Sequence, residues 1–373
     1  MTLIITQNDY AARRHQVKPL PDGIVTDQAF SHAKRLRNLL TVFLVAFTAC
    51  QPDREIDKPL VLKLGHVYEV QAPTHRYGTS QLPGRLELAG VEMSVTVFPA
   101  AQLGSEEELL EQVVAGELEL AIAGPSFLAM WHPPLGVFDA AYAFRDTDQM
   151  LEVANSQLMA EHWERLRVQY GVRVLDTWAY GTRHVTSHKP IRSPSDMRGM
   201  RLRLPSARIW QASGEALGAS PMPIAFGEVY MALQQGIADG QENPIPVIFS
   251  KGFHEVQKYL NLTGHNESSI QVLINDKTWN RLSPEQQQTL VVTVRELGRE
   301  VYEGNLLEER QLLQKWQQDG TMEVVSSIDV EAFRTKAYEY FAKGFPFSSL
   351  YRAIREQPSA HKGLPDDRRN FDL

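Results

Sequence analysis

One stretch of the chain, from Val91 to Ile122, restricts the fold more than any other. Val91–Phe98 reads as a strand, and Ser105 through Glu108 spells a capping box that opens a helix. That helix carries Leu109, Leu110, Val113 and Val114 on one face and stops at Gly116; Leu118, Leu120 and Ile122 then alternate through another strand. Earlier, Leu60–Gly65 is a short apolar run suited to a buried parallel strand. Strand, helix and strand in this order make βαβ units, hence an α/β protein with a largely parallel sheet. With 373 residues, 43% of them hydrophobic, the chain can fill one large or two medium cores. After Ser283-Pro284 comes its longest helical pattern, with Leu290, Val294, Leu297 and Val301 at spacings of 4, 3 and 4. The pattern reaches Asp319, so this helix either breaks near Gly304-Asn305 or bridges two lobes.

A second segment places a charge. Ser193 to Gly199 forms a short capped turn, with Pro194 at a favoured first helical position and a glycine at the end. From Met200 to Leu204, alternation sends Leu202 and Leu204 to one face and Arg201 and Arg203 to the other. Pro205 stops the strand, and Ser206 is expected to cap a helix through Leu217. Arg203 therefore stands at a strand's carboxyl end, where open α/β sheets build their ligand crevices. A guanidinium there offers a carboxylate two parallel charge-assisted hydrogen bonds. The plain alternative is a surface arginine paired with a neighbouring acid.

Gly199–Pro205, the run Leu217–Pro244 and Glu255–Leu260 together resemble the solute-binding proteins of tripartite ATP-independent periplasmic (TRAP) transporters. The likeness is continuous from Gly181 to His265 and recurs more weakly at Phe98–Gly104 and Gly116–Gly124. It implies a two-lobed, periplasmic binding protein-like fold with hinged lobes, parallel-rich sheets and a long bridging helix. Lobe I would comprise residues 60–180 and 269–308, and lobe II residues 181–268 and 309–360, ahead of a mobile tail at 361–373. In such proteins the arginine matching Arg203 grips the ligand carboxylate and the one matching Arg183 supports it. The positions of Phe226 and Asn243 also line that site. His66, Glu69, Glu106, Gly124 and Trp178 fall where the resemblance puts the far side of the pocket; for His66, a hydrogen-bonded structural histidine is the plain alternative. The implied partners are a small organic acid, such as a uronate or another sugar acid, and the TRAP membrane permease, with no cofactor. Relatives that read sialic acid carry an acidic residue where Gly124 stands, which argues against that ligand.

A net charge of -7 and a pI near 5.9 argue against a nucleic-acid partner, because there is no basic stripe to release phosphate counterions. The single cysteine forbids an internal disulfide. Basic Lys34 to Arg37, the apolar run of nine Leu39–Phe47, and Thr48-Ala49-Cys50 read as a lipoprotein-type signal within residues 1–50. Cys50 would be the lipidated residue, with 51–59 as a tether to the membrane surface; an ordinary buried cysteine is the alternative. A hydrolase acting on an acidic glycoside competes with the binder: Asp239 with Glu242, or Glu228 with Asp239, could form a carboxylate pair. Asp239-Gly240 is also ordinary turn chemistry, however, and no nucleophile elbow, phosphate loop or H-E-x-x-H motif follows the signal.

Overall fold

The computed structural model describes residues 60–357. Residues 1–50 with Cys50, the tether 51–59 and the tail 361–373 lie outside them. The described strands are β1 (Leu60–Gly65), β2 (Met93–Phe98), β3 (Leu120–Ala123), β4 (Val172–Ser187), β5 (Arg201–Leu204), β6 (Ser220–Pro223), β7 (Gly240–Pro244), β8 (Tyr259–Asn275) and β9 (Glu323–Val325). They hydrogen-bond in the order β2-β1-β3-β8-β4-β7-β5-β6, with β9 beside β8.

Along this order parallel pairing occurs at the two ends; off it, the short β9 also runs parallel to β8. β1 runs parallel to β2 and β3, and β5 runs parallel to β6 and β7. Between the ends, β4 and β8, of 16 and 17 residues, run antiparallel to each other, β3 pairs antiparallel with β8, and β7 pairs antiparallel with β4. The parallel-rich sheet expected from βαβ units therefore holds within each end, while antiparallel strands join the ends. The expected lobe boundaries fall inside these two continuous strands, where Gly181 stands opposite Ser268.

The helix Pro284–Asp319 is unbroken for 36 residues, about 54 Å at 1.5 Å per residue. A reciprocal Ser283–Gln286 capping box starts it, and left-handed Gly320 ends it. Leu290, Val294, Leu297 and Val301 enter the larger apolar core, whereas Leu312, Leu313 and Trp316 enter a smaller one with Val229, Ile248 and Phe253. Each such side chain, once buried, contributes about 1.5–3 kcal/mol, so both cores hold the same rod. No helix among the described residues is long and apolar enough to cross a membrane.

Three local expectations need correction. Val114 is exposed rather than packed with Leu109, Leu110 and Val113, because the buried arc of its helix is narrower than the apolar one. Leu120–Ala123 is buried on both faces, so alternation there is not a half-exposed pattern. Ser206 does not cap the next helix, Arg208–Leu217, whose N-cap is Ala207 with no side-chain bond.

Candidate functional site

Five segments meet at the carboxyl ends of parallel strands. Tyr68 lies three residues beyond β1, Gly124 directly after β3, Arg203 on β5, Phe226 three residues beyond β6, and Asn243 near the end of β7. With Arg183 of β4 they line a narrow cleft. Such a place, beyond strand ends that face one another, is where α/β sheets take ligands.

The two arginines differ in what they have left to offer. Arg183 is committed: Nε and Nη2 hold both carboxylate oxygens of Glu242, Nη2 also reaches the Glu242 carbonyl at 2.8 Å, and the guanidinium lies 4.6 Å from the Trp210 ring. His265 Nε2 lies 3.1 Å from the same carboxylate. Burial opposes ionisation of Glu242, but the Arg183 charge and the hydrogen bonds from His265 and Arg183 outweigh it, leaving its carboxyl below the usual range. Arg203 is held but not used up. Its Nε and Nη2 donate to the Ile224 carbonyl at 3.0 and 2.6 Å, while Nη1 is buried without a partner. Burial pulls this guanidinium down to about 10, against the attraction of Glu242 and with the repulsion of Arg183, so it stays charged at neutral pH. A fixed, dehydrated cation with an unused donor is a receptor for an anion.

Around this donor the walls combine rings and acids. Phe226 has its centroid 5.8 Å from the Arg203 guanidinium and 6.3 Å from that of Tyr68. Asn243 donates to Gln241 Oε1 at 2.6 Å. Opposite, Glu106 accepts from Gly124 N at 3.1 Å and from the Tyr68 hydroxyl at 3.4 Å, and burial raises its carboxyl above the ordinary value. Lys251 joins Glu69 at 2.7 Å, linking the segment after β1 to the one after β7.

Arg203, Arg183, Asn243 and Phe226 thus come together, with Glu106 and Gly124. Three other expected residues stand outside this lining. Buried His66 receives the Tyr68 N–H on Nδ1 at 3.2 Å and meets Thr79 Oγ1 from Nε2 at 3.0 Å, so its proton sits on Nε2. Burial, reinforced by His75, takes this ring down to about 3, and its contact with the cleft is through Tyr68. Glu69 faces Lys251. Trp178 points to the long helix: its Nε1 donates to the Val294 carbonyl at 3.0 Å, between Gly78 and Gly298. A register shift between Ala179 and Gly181 reverses the alternation of β4 there, so Tyr180, not Trp178, lines the cleft. Tyr68 belongs to Gly65–Glu69 after β1, a strand end at which ligand contacts are expected, whereas Asp139, Tyr180 and Trp210 are cleft residues that no local sequence signal marks.

The carboxylate pairs of the competing hydrolase reading are otherwise engaged. Asp239 is bound to Arg201 at 2.6 Å on the exposed side, Glu228 is exposed, and Glu242 is locked to Arg183.

Residues 85–346 match the family model described as bacterial extracellular solute-binding protein, family 7. A solute-binding protein of Roseobacter denitrificans is 35% identical over 274 residues, covering 74% of this chain and 83% of that protein. The 2,3-diketo-L-gulonate-binding periplasmic protein of Escherichia coli is 31% identical over 272 residues, covering 71% and 82%. Among solved structures, a TRAP periplasmic solute-binding protein from Roseobacter denitrificans with bound L-galactonate superimposes with a TM-score of 0.73 at 32% identity, covering 80% of this chain and 99% of that one. The resemblance at Gly181–His265 thus extends over most of the described residues, and the chain belongs to the family-7 solute-binding proteins of TRAP transporters.

Proposed function

We propose that this binding protein captures a small organic acid of the sugar-acid class outside the cytoplasm and presents it to a TRAP membrane permease. One observation carries the chemistry: Arg203 is 1% exposed, fixed by Ile224 and left with an unpartnered Nη1 at the cleft. The ligand carboxylate docks there. Arg183 adds positive potential while Glu242 keeps it in place, Asn243 contributes a hydrogen bond, and Phe226 packs the carbon skeleton. Lobe I (60–180 and 269–308) and lobe II (181–268 and 309–360) close over the acid, expelling water and strengthening these bonds. The occupied, closed form is what the permease recognises. Cys50 carries the lipid anchor, and 51–59 tethers the lobes to the membrane. A relative that binds 2,3-diketo-L-gulonate and a solved structure holding L-galactonate support the sugar-acid class.

Thermal-shift screening of an organic-acid panel tests this reading, since a ligand that binds only the folded protein raises its apparent stability. Stabilisation by hydroxylated carboxylates, with no product after prolonged incubation, is the expected result. A panel without any stabilising acid, or turnover of one, refutes it.

A further inference from the structure

Asp139 is the cleft residue whose chemistry is least satisfied. It lies at the end of the 3-10 segment Pro133–Asp139 and is 1% exposed, although a carboxylate is among the groups most costly to bury. Its position is over-determined. Its carbonyl accepts from Ser213 Oγ at 2.7 Å, its Oδ2 accepts from Ser126 N at 2.8 Å, and Ser126 Oγ in turn accepts from Trp210 Nε1 at 2.9 Å. Oδ1, by contrast, is buried without any partner, in a side chain that lines the same cleft as Arg203. Arg183 does not satisfy it: Nε and Nη2 of that guanidinium go to Glu242, and Nη1 is directed at Ser268 Oγ, 3.5 Å away. The cleft therefore holds an orphan donor, Arg203 Nη1, and an orphan acceptor, Asp139 Oδ1.

We propose that Asp139 determines specificity: its Oδ1 accepts a hydrogen bond from a ligand hydroxyl and disfavours a second carboxylate, selecting polyhydroxylated monocarboxylic acids over dicarboxylic acids. The proposal rests on the reading that the cleft takes an organic acid at Arg203. A hydroxyl can supply the missing proton, whereas a carboxylate brings only lone pairs and a like charge. Glu106, also in the cleft, adds to that repulsion. Substitution by asparagine is diagnostic for a geometric reason. Ser126 N–H would hold the amide oxygen, turning the NH₂ group toward the space Oδ1 now faces, so the cleft-facing group changes from acceptor to donor.

The experiment is titration calorimetry on the full chain at pH 8 with L-galactonate and galactarate, which has a carboxylate in place of the terminal CH₂OH. Wild type should prefer galactonate. Asp139→Ala should weaken galactonate about ten- to hundredfold, the usual worth of a hydrogen bond to a charged group. Asp139→Asn should shrink the preference over galactarate by about tenfold or more, by the same reasoning. Both variants binding both acids within twofold of wild type overturns the assignment. So does a wild type that binds succinate and galactarate but no aldonate, which leaves acid capture at Arg203 standing. Binding of no acid of either kind sinks both readings. If the variants do not fold, a crystal structure of wild type with galactonate decides. A ligand hydroxyl about 2.5–3.0 Å from Asp139 Oδ1 supports the proposal, and a water or protein group in that place overturns it.

Discussion

Replacing Arg203 with methionine separates a ligand anchor from a structural residue, because the two roles predict opposite changes. In the empty protein the charge is a burden: burial moves the guanidinium from 12.5 to about 10. At about 1.4 kcal/mol per unit this is roughly 3 kcal/mol of destabilisation. Methionine removes that cost and fills similar volume, but it leaves the Ile224 carbonyl without its two donors, a loss of about 1–3 kcal/mol. The two contributions nearly cancel, so the empty variant should unfold within about 2 kcal/mol of wild type in urea. Binding should respond differently. A carboxylate entering the cleft would lose its counter-charge, about 2–5 kcal/mol or roughly thirtyfold to several thousandfold in Kd. Arg203→Lys keeps a charge but cannot hold Ile224 and face the ligand with one planar fork, so it should recover only part of the loss. Calorimetry with the acid that most stabilises wild type, paired with urea unfolding of the empty proteins, reads both quantities. Near-unchanged affinity in Arg203→Met, or an empty variant destabilised by 4 kcal/mol or more, would refute the anchor role.

Three further outcomes follow from the geometry. Glu242→Gln strips a buried guanidinium of its counter-charge and should destabilise the protein by about 3–5 kcal/mol in urea, with Arg183→Met partly rescuing the double variant. Gly298→Ala places a Cβ 2.5 Å from Trp178 Cδ1; despite a helix-propensity gain of about 1 kcal/mol, overpacking of about 1–3 kcal/mol should lower the melting midpoint. Burial pushes Asp139 up to about 7, against Arg183 and the Ser126 hydrogen bonds and aided by Glu242. The folded state therefore keeps a proton that the unfolded chain releases near 4, so stability declines as pH rises from about 4 to about 7 and levels off above that. The stability difference between Asp139→Asn and wild type should shift in favour of the variant between pH 4 and pH 8, on the order of 2–4 kcal/mol by urea titration.

How much of this was legible in the sequence depended on whether each residue's environment was local. The capping box at Ser105 and the strand holding Arg203 are written within a few residues and formed as expected; the helix from Pro284 also formed, and of the two courses its pattern allowed it takes the unbroken one. The strands β4 and β8 were not read as long strands. In β8 the buried positions include Asn261, Thr263, His265, Asn266 and Gln271, and hydrophobic periodicity does not register polar groups buried in hydrogen bonds. The site was legible where it sits on strand ends and illegible where distant segments converge. Asp139 and Trp210 reach the cleft from a 3-10 turn and a helix, and only the fold brings them beside Arg183. Trp178 is expected at the pocket from the resemblance alone; a one-residue irregularity in β4 separates its direction from that of Tyr180, and no composition signal marks that slip.

The same slip has a mechanical consequence. Along β4, Trp178 is wedged against the long helix while Tyr180 and Arg183, two and five positions on, line the cleft. A Cβ added at Gly78 or Gly298 would approach the indole to within 2.6 or 2.5 Å, so the seat has no slack. Any displacement of the strand at this point would have to carry the ring and the rod with it, so this part of β4 and the long helix can only move as one body.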